Sequence, residues 1–255
     1  MRFDVAAEHV ACPTIAAVAA AVARGDAARG VVPIESSLQG SVTETVDLLI
    51  EEEGIAVCGE VVLPIEHCLI VRPGASLEGI TVIYSHPQSF GQCRHYLEAR
   101  FPDVRREAAL SNAAAVETML GTTDAAAIAP ARAAEIYGAQ VVERGIEDSR
   151  MNKTRFVVLA REGAAPTGAD KTSIAFAVAH DRPGTLVGVL HEFADRSINL
   201  TKVESRPSGR ELGVYIFLID LDGHREDPLV AQALAAVRER ADFFKVFGSY
   251  PKWRE

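Results

Sequence analysis

Thr172-Ser173-Ile174-Ala175-Phe176-Ala177-Val178-Ala179-His180 alternates with the period of a strand, and Pro183-Gly184-Thr185-Leu186-Val187 opens an amphipathic helix running to Arg196. Ile198–Ser205 and Gly213–Leu221 then read as strands, Asp227–Arg240 as a helix and Phe243–Phe247 as a strand. The order is βαββαβ, the ferredoxin-like split, in fewer than ninety residues. Upstream, Arg161-Glu162-Gly163-Ala164-Ala165-Pro166-Thr167-Gly168-Ala169-Asp170 has no periodicity and is rich in Gly, Ala and Pro, so 161–170 reads as a linker. It divides a first domain, 1–160, from a second, 171–255.

The first domain alternates strands with helices. Thr14–Arg24 is a helix stopped by Gly25, and Gly30–Ile34 a short strand. Ser41-Val42-Thr43-Glu44 reads as a capping box for a helix through Glu53 with Gly54 as its cap. Strand Thr81–Tyr84, helix Pro87–Arg100 and strand Val104–Leu110 follow. Ser111 caps a helix to Gly121, Asp124–Ala129 is a strand, and Pro130 opens a helix that ends at Gly138. This pattern predicts an α/β domain with mostly parallel sheets.

At 255 residues the chain is long enough to bury a core without disulfide or metal staples. The 26 basic and 35 acidic residues give a net charge of -9, which argues against nucleic-acid binding. No apolar run nears the roughly 20 residues of a membrane span, and the start lacks a signal-peptide core, so the expectation is a cytoplasmic protein with no membrane partner. Cys12, Cys58, Cys68 and Cys93 form no C-x-x-C pair, so no metal is expected and reduced thiols are.

Four polar clusters are expected where strands hand over to helices: Glu35-Ser36-Ser37, Ser85-His86-Pro87-Gln88, Ser111-Asn112 and Asn152-Lys153-Thr154-Arg155. Each is either an ordinary cap or, where several helix starts converge, part of an anion site. Arg155 has the planar fork that pairs with a carboxylate, and Thr154 beside it offers an uncharged donor. No Gly-rich phosphate loop, G-x-S-x-G elbow or H-E-x-x-H motif is present.

Gly30-Val31-Val32-Pro33-Ile34-Glu35-Ser36-Ser37 with Gly40-Ser41-Val42 resembles the first signature of prephenate dehydratases. Ser85-His86-Pro87-Gln88 with Gln92-Cys93 resembles their second, and Thr154-Arg155-Phe156 their Thr-Arg-Phe motif, preceded by Ile146-Glu147-Asp148 and Asn152. The βαββαβ tail is similar to an ACT domain. Its Glu204-Ser205-Arg206-Pro207 matches the family's phenylalanine-binding signature, and Gly184-Thr185-Leu186-Val187 its companion loop.

The resemblance implies a catalytic domain of two lobes like a periplasmic binding protein, then a regulatory ACT domain, assembled as a dimer or tetramer. Prephenate would lose water and carbon dioxide to give phenylpyruvate in phenylalanine biosynthesis, with L-phenylalanine as effector and no cofactor. Thr154, Arg155 and Phe156 become the catalytic candidates, Thr154 bonding the leaving oxygen and Arg155 clamping a carboxylate. Glu35, Ser36, Ser37, Ser85, Gln92, Ser111 and Asn112 become candidates for substrate binding. Gly184, Thr185, Leu186, Val187, Asn199, Leu200, Glu204, Ser205, Arg206 and Pro207 become candidates for the phenylalanine site. The chain departs from the family at Ser36, where Asn is usual, and its first residue falls after the strand and Gly-Pro-x-Gly-Thr-Phe loop that open the family. Either the start is set too far downstream or the protein lacks a core strand and part of its site; a truncated chain would expose a sheet edge, with low activity and a tendency to associate. The alternatives are an arogenate dehydratase, or a phenylalanine-sensing protein with impaired catalysis.

Overall fold

The computed structural model describes residues 7–149, 151–178, 183–209 and 214–254. The expected strand end at His180 and strand start at Gly213 lie outside them. In chain order the elements are α1 (Ile15–Arg24), β1 (Gly30–Ser36), β2 (Gly40–Ser41), α2 (Thr43–Glu51), β3 (Ala56–Pro64), β4 (Cys68–Val71) and β5 (Val82–Ser85). Then come α3 (Pro87–Gln92), α4 (Arg94–Arg100), β6 (Arg105–Ala108), α5 (Asn112–Leu120), β7 (Ala125–Ala129), α6 (Ala131–Tyr137) and β8 (Gln140–Arg144). The last are β9 (Lys153–Ala160), β10 (Asp170–Val178), α7 (Thr185–Ala194), β11 (Leu200–Pro207), β12 (Tyr215–Asp222), α8 (Pro228–Arg240) and β13 (Ala241–Pro251).

The chain forms two compact units, one of 1–63 with 154–255 and the other of 64–153. In the first, the Thr14 hydroxyl oxygen accepts from the Ala17 amide to start α1, and Gly25 ends it at φ +81°, the left-handed region that glycine enters without strain. A sheet ordered β2-β1-β9-β3 has β1 antiparallel to both neighbours.

The second sheet of this unit, β11-β12-β10-β13, is antiparallel and carries α7 and α8 on one face, completing the βαββαβ pattern. Phe176, Phe193, Ile219 and Val237 fill the space under the helices. Its other face is not open. Ala175, Leu218, Phe247 and Tyr250 share one buried cluster with Val32, Val57, Val157 and Leu159 of the first sheet and its strand β3. Gly248 makes this approach possible, since a Cβ there would lie 2.0 Å from the Val57 carbonyl oxygen. The 161–169 stretch thus joins two sheets with a common core, which its loose composition does not suggest.

The second unit holds the sheet β6-β5-β7-β4-β8, with β5 parallel to β6 and β7 and with β4 antiparallel to β7 and β8. The expectation of mostly parallel sheets is therefore corrected. The α5 start is as expected, with the Ser111 hydroxyl accepting from Ala114 N.

Two local expectations fail for reasons the structure supplies. The helix 87–100 is two helices, because Asp148 N donates to the Gln92 carbonyl at 2.7 Å and the Asp148 carboxylate accepts from His95 N at 3.0 Å. A distant loop thus breaks the helix at Cys93 and caps the next one. The capping box also fails: α2 starts after Val42 without a side-chain cap, and the Ser41 hydroxyl is spent on Lys202 and Glu204.

Candidate active site

In the first unit, β1 and β9 run antiparallel with Glu35 opposite Arg155, Ser36 opposite Thr154 and Pro33 opposite Phe156. This register brings together two motifs 120 residues apart. Arg155 Nε and Nη2 lie 3.0 and 2.9 Å from Glu35 Oε2, both on one oxygen. Its Nη1 lies 2.7 Å from Asp220 Oδ2 and 3.3 Å from Glu60 Oε2. The Arg155 side chain is 11% exposed. Burial pushes its pKa down, but Asp220, Tyr250, Glu35 and Glu60 outweigh that and raise it, so it is a permanent cation.

Arg155 was expected to clamp a substrate carboxylate. Its nitrogens instead hold three of the protein's own, one of them from β12 in the βαββαβ module. Those acids are anchored in turn. Glu60 accepts from Lys171 Nζ and Trp253 N, both at 3.0 Å. Asp220 accepts from Ser173 Oγ at 2.6 Å, which also bonds the Tyr250 hydroxyl.

Lys202 completes the cluster. Its Nζ lies 3.3 Å from Glu35 Oε1, 3.1 Å from Glu204 Oε2 and 2.6 Å from Ser41 Oγ, and Ser41 donates to Glu204 at 2.5 Å. Burial pushes the Glu204 carboxyl up, yet the bonds from Ser41 and Lys202 hold it below its ordinary value. Arg206 pairs with Asp47. Among the described residues the half-buried Thr154 hydroxyl makes no hydrogen bond to the protein, so it is available to a ligand. Ser36 Oγ accepts from Leu38 N at 3.3 Å, which spends it on the turn, and Ser37 lies exposed in that turn.

In the second unit, Asn112 Oδ1 accepts from Ser89 Oγ at 3.0 Å, with Ser85 Oγ and His86 N both at 3.4 Å. Ser85 is fully buried and donates to the Ile128 carbonyl at 2.8 Å. Gln92 Oε1 accepts from His67 Nε2 at 2.7 Å and Asn152 Nδ2 at 3.2 Å, which turns the amide's Nε2 donors the other way. Burial pushes the Cys93 thiol up, so it is no thiolate nucleophile.

In the module, Gly184 sits at φ +86° before α7, Leu186 packs in the core under the helices and Val187 is exposed. Asn199 Nδ2 bonds Asp222 Oδ2 at 3.2 Å, and Leu200 joins that core. The Glu204–Pro207 signature is divided by strand alternation. Glu204 and Arg206 turn to Ser41 and Asp47, while Ser205 and Pro207 are exposed on the other face. An open groove of about 600 Å³ along α2 is lined by Glu44, Asp47, Glu51 and Glu52 and would repel a dianion.

The sequence pointed to Glu35, Thr154 and Arg155 but not to Glu60, Lys202, Asp220 or His67. Lys202-x-Glu204-x-Arg206 was the available signal: three charges at strand period fall on one face and need counter-charges there.

An α/β region with a βαββαβ module packed on one of its sheets is an architecture that many functions share, so the class rests on sequence. Sequence comparison gives the family. The family described as "Prephenate dehydratase" matches residues 1–164 and that described as "ACT domain" matches 172–239, and the chain belongs to the prephenate dehydratase family. It is 41% identical over 250 residues to a bifunctional chorismate mutase/prephenate dehydratase of Aquifex aeolicus, covering 98% of this chain and 68% of that one. It is 40% identical to arogenate dehydratase 1 of Petunia hybrida, covering 96% and 61%. The chain spans 60 to 69% of the length of four bifunctional relatives. Among solved structures, a prephenate dehydratase from Arthrobacter aurescens in complex with L-Phe superposes with a TM-score of 0.85 at 38% identity, covering 94% of this chain and 80% of that one.

Proposed function

We propose that this chain converts prephenate to phenylpyruvate, carbon dioxide and water, and that L-phenylalanine bound to residues 171–255 inhibits it. The observation carrying this reading is the β1–β9 register, which sets Glu35 beside Arg155 and Ser36 beside Thr154. In the reaction the bond from ring to carboxylate breaks and its electron pair enters the ring. The C–O bond at the opposite carbon breaks with its electron pair, and the departing hydroxide takes a proton from solvent to leave as water. Aromatisation supplies the driving force.

The protein needs only to orient the dianion and stabilise the departing oxygen. Thr154 Oγ1 donates to that oxygen; an ordinary hydroxyl is a weak acid, so hydrogen bonding is its role. Arg155, buried in its own acids, acts by fixing Glu35 and the β1–β9 strand pair. Within the second unit, the Gln92 amide, turned by His67 and Asn152, and the Asn112 amide present donors of their own.

The division into 1–160 for catalysis, 161–170 as connector and 171–255 for regulation belongs to the same proposal, as does assembly into a homo-oligomer, a dimer or tetramer. Supplying prephenate and arogenate separately to the purified protein tests it. Phenylpyruvate from prephenate, slowed by phenylalanine, is the expected result. Turnover of arogenate to phenylalanine with none of prephenate would support the arogenate reading that the Petunia relative's name favours. Phenylalanine binding without turnover of either would favour a sensing protein.

A further inference from the structure

Strand β11 is the outer strand of the module's sheet, and its alternation sorts its side chains. Lys202, Glu204 and Arg206 are half-buried on one face, whereas Thr201, Val203, Ser205 and Pro207 are exposed on the other. The half-buried face meets the hairpin β1–β2, where Glu35 pairs in register with Ser41. Lys202 Nζ reaches Glu35 Oε1, Glu204 Oε2 and Ser41 Oγ, so all three ammonium hydrogens have an acceptor. The two Glu35 oxygens are thereby shared between Arg155 and Lys202.

We propose that Lys202 is a positioning residue: it fixes Glu35 of the catalytic motif and carries to it the occupancy of the Glu204–Pro207 segment by phenylalanine. This rests on the function proposed above. The chemistry suits a relay. An ammonium is a point charge on a flexible stem, so a small displacement of β11 moves Nζ off the 3.3 Å contact with Glu35 while Ser41 and Glu204 keep it. Misplacing a reacting group by about 1 Å can cost on the order of a hundredfold in rate.

The test compares the parent with Lys202→Met and Lys202→Arg by prephenate kinetics and by calorimetric titration with L-phenylalanine. In the parent, phenylalanine should weaken kcat/KM by about 5–150-fold, the usual range of such coupling. Lys202→Met should lose roughly tenfold or more in kcat, bind phenylalanine as the parent does, and show almost no inhibition by it. Lys202→Arg should recover much of both. Should Lys202→Met fail to fold, Lys202→Gln keeps the polar stem without the charge and should show the same loss of kcat and of inhibition. Parent-like kcat or parent-like inhibition in Lys202→Met overturns the inference while leaving the proposed function intact, and so does loss of phenylalanine binding, which would make Lys202 part of the effector site. A parent that does not turn over prephenate contradicts the proposed function and takes this inference with it.

Discussion

Glu35 and Arg155 face each other across β1 and β9, and one carboxylate oxygen takes two guanidinium nitrogens at 2.9 and 3.0 Å. Because Glu60 and Asp220 hold the third nitrogen, removing the cation strips buried Asp220 of its ion pair, while Glu35 and Glu60 keep Lys202 and Lys171. Arg155→Ala should lose about 3–5 kcal/mol of stability, the usual penalty for orphaning a buried pair. Arg155→Lys should fold better and still be slow, since an ammonium cannot reproduce the planar fork. Urea midpoints measured beside kcat separate the two effects.

Thr154 lies opposite Ser36 with its hydroxyl uncommitted among the described residues. Thr154→Ala should lower kcat by roughly 10²–10³ with little change in the urea midpoint, and Thr154→Ser should retain most of the rate. Near-parental turnover in a folded Ala variant would remove Thr154 from the mechanism.

Asn152 and His67, each 2% exposed, hold the Gln92 carbonyl oxygen. Losing the Asn152 bond by Asn152→Ala should cost about 1 kcal/mol of positioning, roughly fivefold in kcat/KM. Adding it to Gln92→Ala should cost nothing more in rate, because both act through one amide. A double-variant cycle in kcat/KM reads this directly, and simple additivity would refute it.

Burial pushes the Asp170 carboxyl up, but bonds from Thr167 Oγ1, Thr167 N and Gly168 N, with His224 nearby, hold it below its ordinary value. A carboxyl lowered in the folded state adds stability that is present above its unfolded pKa and lost as pH falls through the folded one. Stability should therefore drop in acid below the ordinary carboxylate range. Asp170→Asn, less stable at neutral pH, should lose less between about pH 5 and about pH 2. Urea unfolding of both proteins across that range measures it.

Gly184 stands at φ +86° before α7 with nothing within 4 Å of where a Cβ would be. Space is available there but the backbone conformation is not, so Gly184→Val must reshape the loop. The variant should keep its turnover and bind phenylalanine at least tenfold more weakly by calorimetry. Unchanged binding would place the effector elsewhere.

Much of this was legible locally. Thr14 and Gly25 bound α1 because caps act over three or four residues, and the βαββαβ order followed from periodicity and turn residues. What could not be read depends on distance. Ser41 looks like a cap until Lys202 and Glu204, more than 160 residues away, claim its hydroxyl. The helix at Gln92 is continuous by propensity and is broken by Asp148 from a later loop. Arg155 was recognisable as a guanidinium in a motif, but its three acids come from β1, β3 and β12, which only the tertiary fold brings together.

The most direct test follows prephenate carrying ¹³C in its ring carboxylate, incubated with the purified parent and with Thr154→Ala. The account predicts labelled carbon dioxide and phenylpyruvate in equal amounts from the parent, at a rate far above that of the Thr154→Ala protein. Equal rates from the two proteins, or no labelled carbon dioxide above the uncatalysed background from the parent, would contradict it.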